Sequence, residues 1–270
     1  MRKFFAAPVA FAIVAAGPTM AAEVPISVQQ PVTTLVFSWT GWYVGAFVGG
    51  ASGGNAQTSD PCNLITPSGC WLVPGGEVVS YPMSASLTGG LTAGFNYQIP
   101  GSSIVFGFET EFGALRLKGS SSFAPVSSFS FAPNLVASTT IGPWYNATTG
   151  RIGWAWDRLM FYGKGGFSAS TIESTIVDPV GGLGPGTGRR DVLGWAWGAG
   201  FEYVFAPKWS IKVEYLALGF NHSVGFRAGV APGTLRAGGT FCGNTTTETV
   251  HTAKIGINYL LNVGPVYERY

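Results

Sequence analysis

Eight ionisable residues sit inside segments that are otherwise apolar, aromatic or built of small residues: Glu109, Glu111, Arg151, Lys164, Glu202, Lys212, Glu214 and Lys254. They are four acids and four bases, so the set is neutral. Isolated charges in a dry interior are costly, whereas opposite charges that pair and hydrogen-bond there persist. Two roles fit such a set. One is a structural polar core, and the other is a narrow, switchable ion path.

The remaining reactive side chains are few. Cys62 and Cys70 have seven residues between them and form a candidate disulfide in an exported chain, where thiols oxidise. Cys242 is left over, either free or competing for a partner. No His or carboxylate cluster accompanies these cysteines, so no metal site is expected. His222 and His251 are the only histidines. A lipid-modifying Ser–His hydrolase needs a histidine beside a nucleophile on one strand face. His222 and Ser223 are instead adjacent, and adjacent residues point to opposite faces. No glycine-rich phosphate cradle is found. Neither an enzyme nor a cofactor is expected.

The elements that position the eight charges read as strands. Segments of about ten residues alternate between apolar and small or polar side chains, the pattern of a transmembrane barrel wall. They are 42–50, 86–98, 104–115, 143–156, 159–168, 194–205, 209–219 and 250–260. In the sixth, Trp195, Trp197, Ala199, Phe201, Tyr203 and Phe205 share one face, and Gly194, Ala196, Gly198, Gly200 and Glu202 the other. In the first, Trp42, Val44, Ala46 and Val48 oppose Tyr43, Gly45 and Phe47. With apolar faces outward, every charge within these segments turns inward. Trp42, Trp144, Trp154, Trp156, Trp195, Trp197 and Trp209 fall on the outer face, many near strand ends, where interfacial aromatic girdles belong.

Composition agrees. Charged residues make up 10% of the chain, against about 25% in an ordinary soluble domain. Glycine contributes 40 of 270 residues. A net charge of +2 without a basic cluster gives no reason to expect a nucleic-acid partner. Residues 1–22 read as a signal peptide, with basic Arg2 and Lys3, an apolar stretch, and small residues before the cleavage point. No later apolar run reaches the length of a spanning helix. The other structure that satisfies its backbone within lipid is a closed β-barrel. A soluble barrel would place large aromatics inside and charges outside. The glycine-rich polar face and the scarcity of charge favour the membrane version.

Connections alternate in length. Pro100-Gly101, Asp157-Arg158 and Ala206-Pro207-Lys208 are tight. Residues 51–85, 116–142, 169–193 and 220–249 are expected as long loops rich in Gly, Ser, Thr and Pro. Within them, the Ser/Phe-biased tract 120–133 is either disordered or an extension of its hairpin. The alternation predicts an eight-stranded antiparallel up-and-down barrel with periplasmic turns and extracellular loops. Residues 23–38 are then a periplasmic linker, 39–261 the barrel and 262–270 a tail, in which Pro265 breaks any continuous strand.

Several motifs resemble the outer membrane immunogenic protein family, whose members are OmpA-like eight-stranded barrels. Ser38-Trp39-Thr40-Gly41-Trp42-Tyr43-Val44-Gly45 is similar to that family's opening strand. Gly150-Arg151-Ile152-Gly153-Trp154 and Leu159-Met160-Phe161-Tyr162-Gly163-Lys164-Gly165-Gly166 resemble its fourth and fifth strands. The hairpin from Gly198 to Leu216 is the most specific match, and Lys254 to Tyr259 resembles the closing strand. The matches run from Trp39 to Tyr259 and miss the long loops. Family members usually end at the aromatic of the last strand, whereas here residues follow Leu260. The expectation is a structural, surface-exposed protein of the bacterial outer membrane that contributes to envelope integrity. Its partners would be outer-membrane lipid, lipopolysaccharide and the assembly machinery. The alternative is a barrel that binds haem or a small solute, which the resemblance implies weakly, or a narrow pore.

Overall fold

The computed structural model describes residues 35–59, 78–123, 135–177, 186–220, 224–229, 240–247, 249–261 and 266–267. The strands are β1 (Leu35–Val36), β2 (Gly41–Gly53), β3 (Asn55–Ser59), β4 (Val78–Pro82), β5 (Ala85–Gln98), β6 (Ile104–Ala114), β7 (Leu117–Phe123) and β8 (Leu135–Trp156). They continue with β9 (Leu159–Val177), β10 (Gly186–Ala206), β11 (Trp209–Gly219), β12 (Val224–Gly229), β13 (Thr240–Thr247), β14 (Val250–Leu260) and β15 (Val266–Tyr267).

One sheet runs β6-β5-β2-β14-β11-β10-β9-β8, and β6 pairs with β8 to shut it. The result is a closed, antiparallel, eight-stranded barrel. Closure is in register from Ile104↔Trp154 to Ala114↔Trp144. A closed sheet has no open edge within its ring, and every backbone group finds a neighbour. No helix among the described residues is long and apolar enough to cross a membrane.

Exposure follows the two-residue period. On β11, residues alternate from exposed Trp209 to buried Ser210, Lys212 and Glu214, with Ile211, Val213 and Tyr215 outward. The outer wall carries Leu87, Phe167, Trp154, Trp156 and Trp197, all exposed. Trp156 is 78% exposed at the end of its strand. Such exposure would be untenable in water but is ordinary against hydrocarbon.

Three connections are short, spanning residues 99–103, 157–158 and 207–208, and all lie on one rim. Asp157 takes φ 51°, the left-handed turn conformation. The other rim corrects the sequence expectation. Much of what reads as long loops is strand. β8, β9 and β10 are 22, 19 and 21 residues long. β7 resumes the line of β6 after a break at Leu115-Arg116, pairing with β8 from Leu117↔Ile141 to Phe123↔Leu135. β12, β13, β3 and β4 form a second sheet continuing the lines of β11, β14, β2 and β5. The wall therefore rises past the apolar band as a collar. Where side chains are described, on β7 and the upper parts of β8 and β9, the outer face carries Lys118, Ser120, Ser138, Thr140, Glu173 and Thr175 in place of an apolar band. Residues 120–123 of the Ser/Phe tract extend their hairpin, and the rest of the tract lies outside the described residues. In the tail, Val266↔Val36 and Tyr267↔Leu35 pair the C-terminal segment with the N-terminal one.

Candidate functional site

The inner wall of the barrel is where chemistry-bearing side chains gather. β6 supplies Glu109 and Glu111, β8 Arg151, β9 Lys164, β10 Glu202, β11 Lys212 and Glu214, and β14 Lys254. All eight are buried. Lys164 Nζ lies 2.8 Å from Glu109, 3.4 Å from Glu111 and 2.8 Å from Glu214. Lys254 Nζ lies 2.6 Å from Glu111 and 2.9 Å from Glu214. Lys212 Nζ lies 2.8 Å from Glu109. Arg151 Nη1 reaches Glu109 at 3.7 Å and Glu202 at 3.4 Å. Every acid faces at least one base, and the eight form one connected lattice across the lumen.

Oxygens of Glu109, Glu111 and Glu214 lie within 4.8 Å of one another, close enough to hold a metal ion. The Lys164 ammonium already contacts all three at 2.8–3.4 Å. A fixed cation of the chain itself thus occupies the point where carboxylate repulsion would be greatest.

Neutral side chains complete the lattice. Tyr43 Oη donates to Glu109 at 2.7 Å, Tyr162 Oη to Glu214 at 2.9 Å and Tyr145 Oη to Glu111 at 3.1 Å. Asn96 Oδ1 accepts from Arg151 Nε at 2.7 Å. Glu202 accepts from Ser210 Oγ at 2.5 Å and Asn258 Nδ2 at 2.8 Å. The Arg151 guanidinium sits between the rings of Tyr43 and Tyr162, 4.7 and 5.1 Å from their centroids. Two aromatic faces thus flank a cation whose Nη2 has no hydrogen-bond partner among the described residues.

Apolar layers lie on both sides of the lattice. Toward the short-turn rim, Trp39, Tyr43, Val105, Met160, Val204 and Leu260 form one cluster. Trp39 folds across this mouth, donating Nε1–H to the Asp157 carbonyl at 3.0 Å and its backbone N–H to Gln98 Oε1 at 2.9 Å. Toward the collar, Met83, Leu115, Leu117, Ile141, Ile172 and Phe220 lie in a second cluster.

Glycine makes room for this filling. Gly94 lies in register between Tyr43 and Glu109, and a Cβ there would fall 2.5 Å from the Phe108 carbonyl and the Tyr43 ring carbon. Gly200 lies between Tyr162 and Glu214, and its Cβ would meet the Tyr162 hydroxyl at 2.8 Å. Large side chains cross an eight-strand lumen only where a neighbour has none.

Of the aromatic set named from sequence, Trp42, Trp154, Trp156, Trp195, Trp197 and Trp209 are exposed on the outer wall, and Trp144 stacks on Phe112 at 6.0 Å. The candidate disulfide Cys62–Cys70 lies outside the described residues, as does His222. Cys242 is placed only through its backbone, opposite Arg227 on β12. His251 stands on the outer wall, its Nδ1 2.6 Å from the Tyr215 hydroxyl. Sequence reasoning did not single out Tyr145, Tyr162, Asn96, Ser210, Asn258 or Trp39 as site residues. The signal available for most of them was inward parity alone.

Comparison with known proteins gives a consistent picture. Residues 9–260 match the family model described as outer membrane protein beta-barrel domain. The 31 kDa outer-membrane immunogenic proteins of Brucella melitensis and Brucella suis are each 32% identical over 205 residues, covering 73% of this chain and 79% of theirs. Among solved structures, the outer membrane protein OprG of Pseudomonas aeruginosa superposes with a TM-score of 0.52 at 12% identity. That match covers 82% of this chain and 97% of OprG, and it speaks to fold alone.

Proposed function

Because the chain belongs to the outer membrane protein beta-barrel domain family and lies in the bacterial outer membrane, we propose that it is a non-conducting structural protein of the envelope. In this reading residues 1–22 are removed on export, 23–38 lie in the periplasm with the short turns, and the collar stands on the cell surface. Its partners are outer-membrane lipid, lipopolysaccharide and the machinery that inserts barrels.

The observation that carries the reading is the filled lumen. The four bases and four acids are engaged with one another, between an apolar layer at each end. A solute has no path that avoids both layers, and an ion would have to displace Lys164 from three carboxylates. The same engagement leaves no acid or base of the lattice free for catalysis, which supports a non-enzymatic role. The contact energy serves wall-to-wall cohesion instead.

The test is single-channel recording on the refolded protein, with folding verified by different migration of boiled and unboiled samples. Folded protein is expected to insert without conductance steps. Resolved steps would overturn the reading in favour of a narrow pore. A spectral change on adding haem would favour the ligand-binding alternative.

A further inference from the structure

One arc of the outer wall carries described charges above the apolar band. Above the aromatic ring of the extracellular rim, Arg116, Lys118, Glu173, Arg189 and Asp191 all lie on the outward face of the arc from the β6–β7 break to β10. Register places Lys118 beside Thr140, Thr140 beside Glu173, and Glu173 beside Arg189, one row around the outer wall. Arg116 stands two residues below Lys118, at the β6–β7 break.

Arg116, Lys118 and Arg189 are exposed, and none is in an ion pair among the described residues. Of the two acids, Asp191 is engaged by the Thr171 hydroxyl at 2.6 Å. Directly below lies an apolar ledge: Phe112 stacked on Trp144, with Phe167, Leu193 and Trp195 exposed beside them. Arg189 is four residues above Leu193 on β10. That is roughly 13 Å along the strand, or about 10 Å of height at a tilt of ~40°.

Resting on the reading that the collar stands on the cell surface, we propose that this arc docks the phosphorylated headgroup of an outer-leaflet glycolipid, with the cations on phosphate and the acyl chains on the aromatic ledge. The chemistry fits each layer. Guanidinium forks match phosphate oxygens, and cations held near an anionic membrane surface gain attraction. The ledge offers apolar area at acyl depth.

The experiment compares the full chain with an R116Q/K118Q/R189Q variant. Both are folded in mixed micelles with phosphorylated lipid A, dephosphorylated lipid A or phosphatidylcholine, at about 0.15 M salt. Retained lipid is counted by native mass spectrometry. The unaltered protein is expected to retain the phosphorylated lipid roughly tenfold better than the dephosphorylated one. The variant should fall to near parity, and R158Q/K208Q, on the opposite rim, should behave as the unaltered protein does. Equal retention of the two lipids by the unaltered protein overturns the proposal. So does an undiminished preference in the triple variant, or an equal loss in R158Q/K208Q. Should the triple variant not give the unboiled folded band, K118Q and R189Q singly are each expected to lower the preference about threefold, and no change in either overturns it. None of these outcomes depends on whether the lumen conducts.

Discussion

Replacing Lys164 by methionine removes one charge from the centre of the lumen and little volume. In the native protein its Nζ contacts Glu109, Glu111 and Glu214 at 2.8, 3.4 and 2.8 Å, and the side chain is 0% exposed. After substitution four carboxylates face three bases, and Glu214 keeps only Lys254 at 2.9 Å as a cationic contact. Breaking a buried pair by deleting one partner costs about 3–5 kcal/mol. Because Lys212, Lys254 and Arg151 remain, the lower half of that range is expected, about 3 kcal/mol. Urea unfolding in lipid vesicles, followed by tryptophan fluorescence, measures it. The charge-balanced K164M/E214Q variant should recover about 1 kcal/mol relative to K164M, within the roughly 0.5–3 kcal/mol by which contacting residues couple. A K164M loss below ~1 kcal/mol, or a double variant no better than the single, would refute the idea that charge balance holds the lattice together.

Two further outcomes follow from the walls of the barrel. Gly94→Val should fold poorly, because even a Cβ there meets the Phe108 carbonyl at 2.5 Å. Gly165→Ala, whose nearest neighbour is 3.9 Å away, should stay within ~1 kcal/mol of the unaltered protein; comparing folded fractions on unboiled gels checks both. In single-tryptophan proteins, Trp154, Trp156 and Trp197 should be quenched by brominated acyl chains, whereas Trp39, 2% exposed inside the short-turn mouth, should not.

The membrane strands are legible in the sequence because lipid imposes a period of two on them. β11 and β14 occupy 209–219 and 250–260, as alternation alone places them. Alternation also names the side of the wall on which Glu109 or Lys254 lies. It cannot name partners. Lys254 meets Glu111 across the lumen from strands that share no ladder, and nothing local in either segment encodes that distance. The collar is illegible for the opposite reason. Stretches such as Ala137 to Ile141 and Thr171 to Thr175 face water outside, so serine and threonine replace the apolar face that marks a strand in lipid. The extension of the outer wall also changes a generalisation. Within the apolar band the charges point inward, but Lys118, Glu173, Arg189 and Asp191 belong to the part of the wall that has left it.

The seam between β2 and β14 joins the first and last strands of the barrel, and this orders events in time. Lys254 lies 143 positions after Glu111, so during synthesis the acids Glu109, Glu111, Glu202 and Glu214 all emerge before the last of their counterions. A chain lacking β14 would leave the edges of β2 and β11 unpaired and the lumen one base short, the same charge imbalance as K164M. Loss of the final strand therefore removes closure of the wall and charge balance of the lumen together.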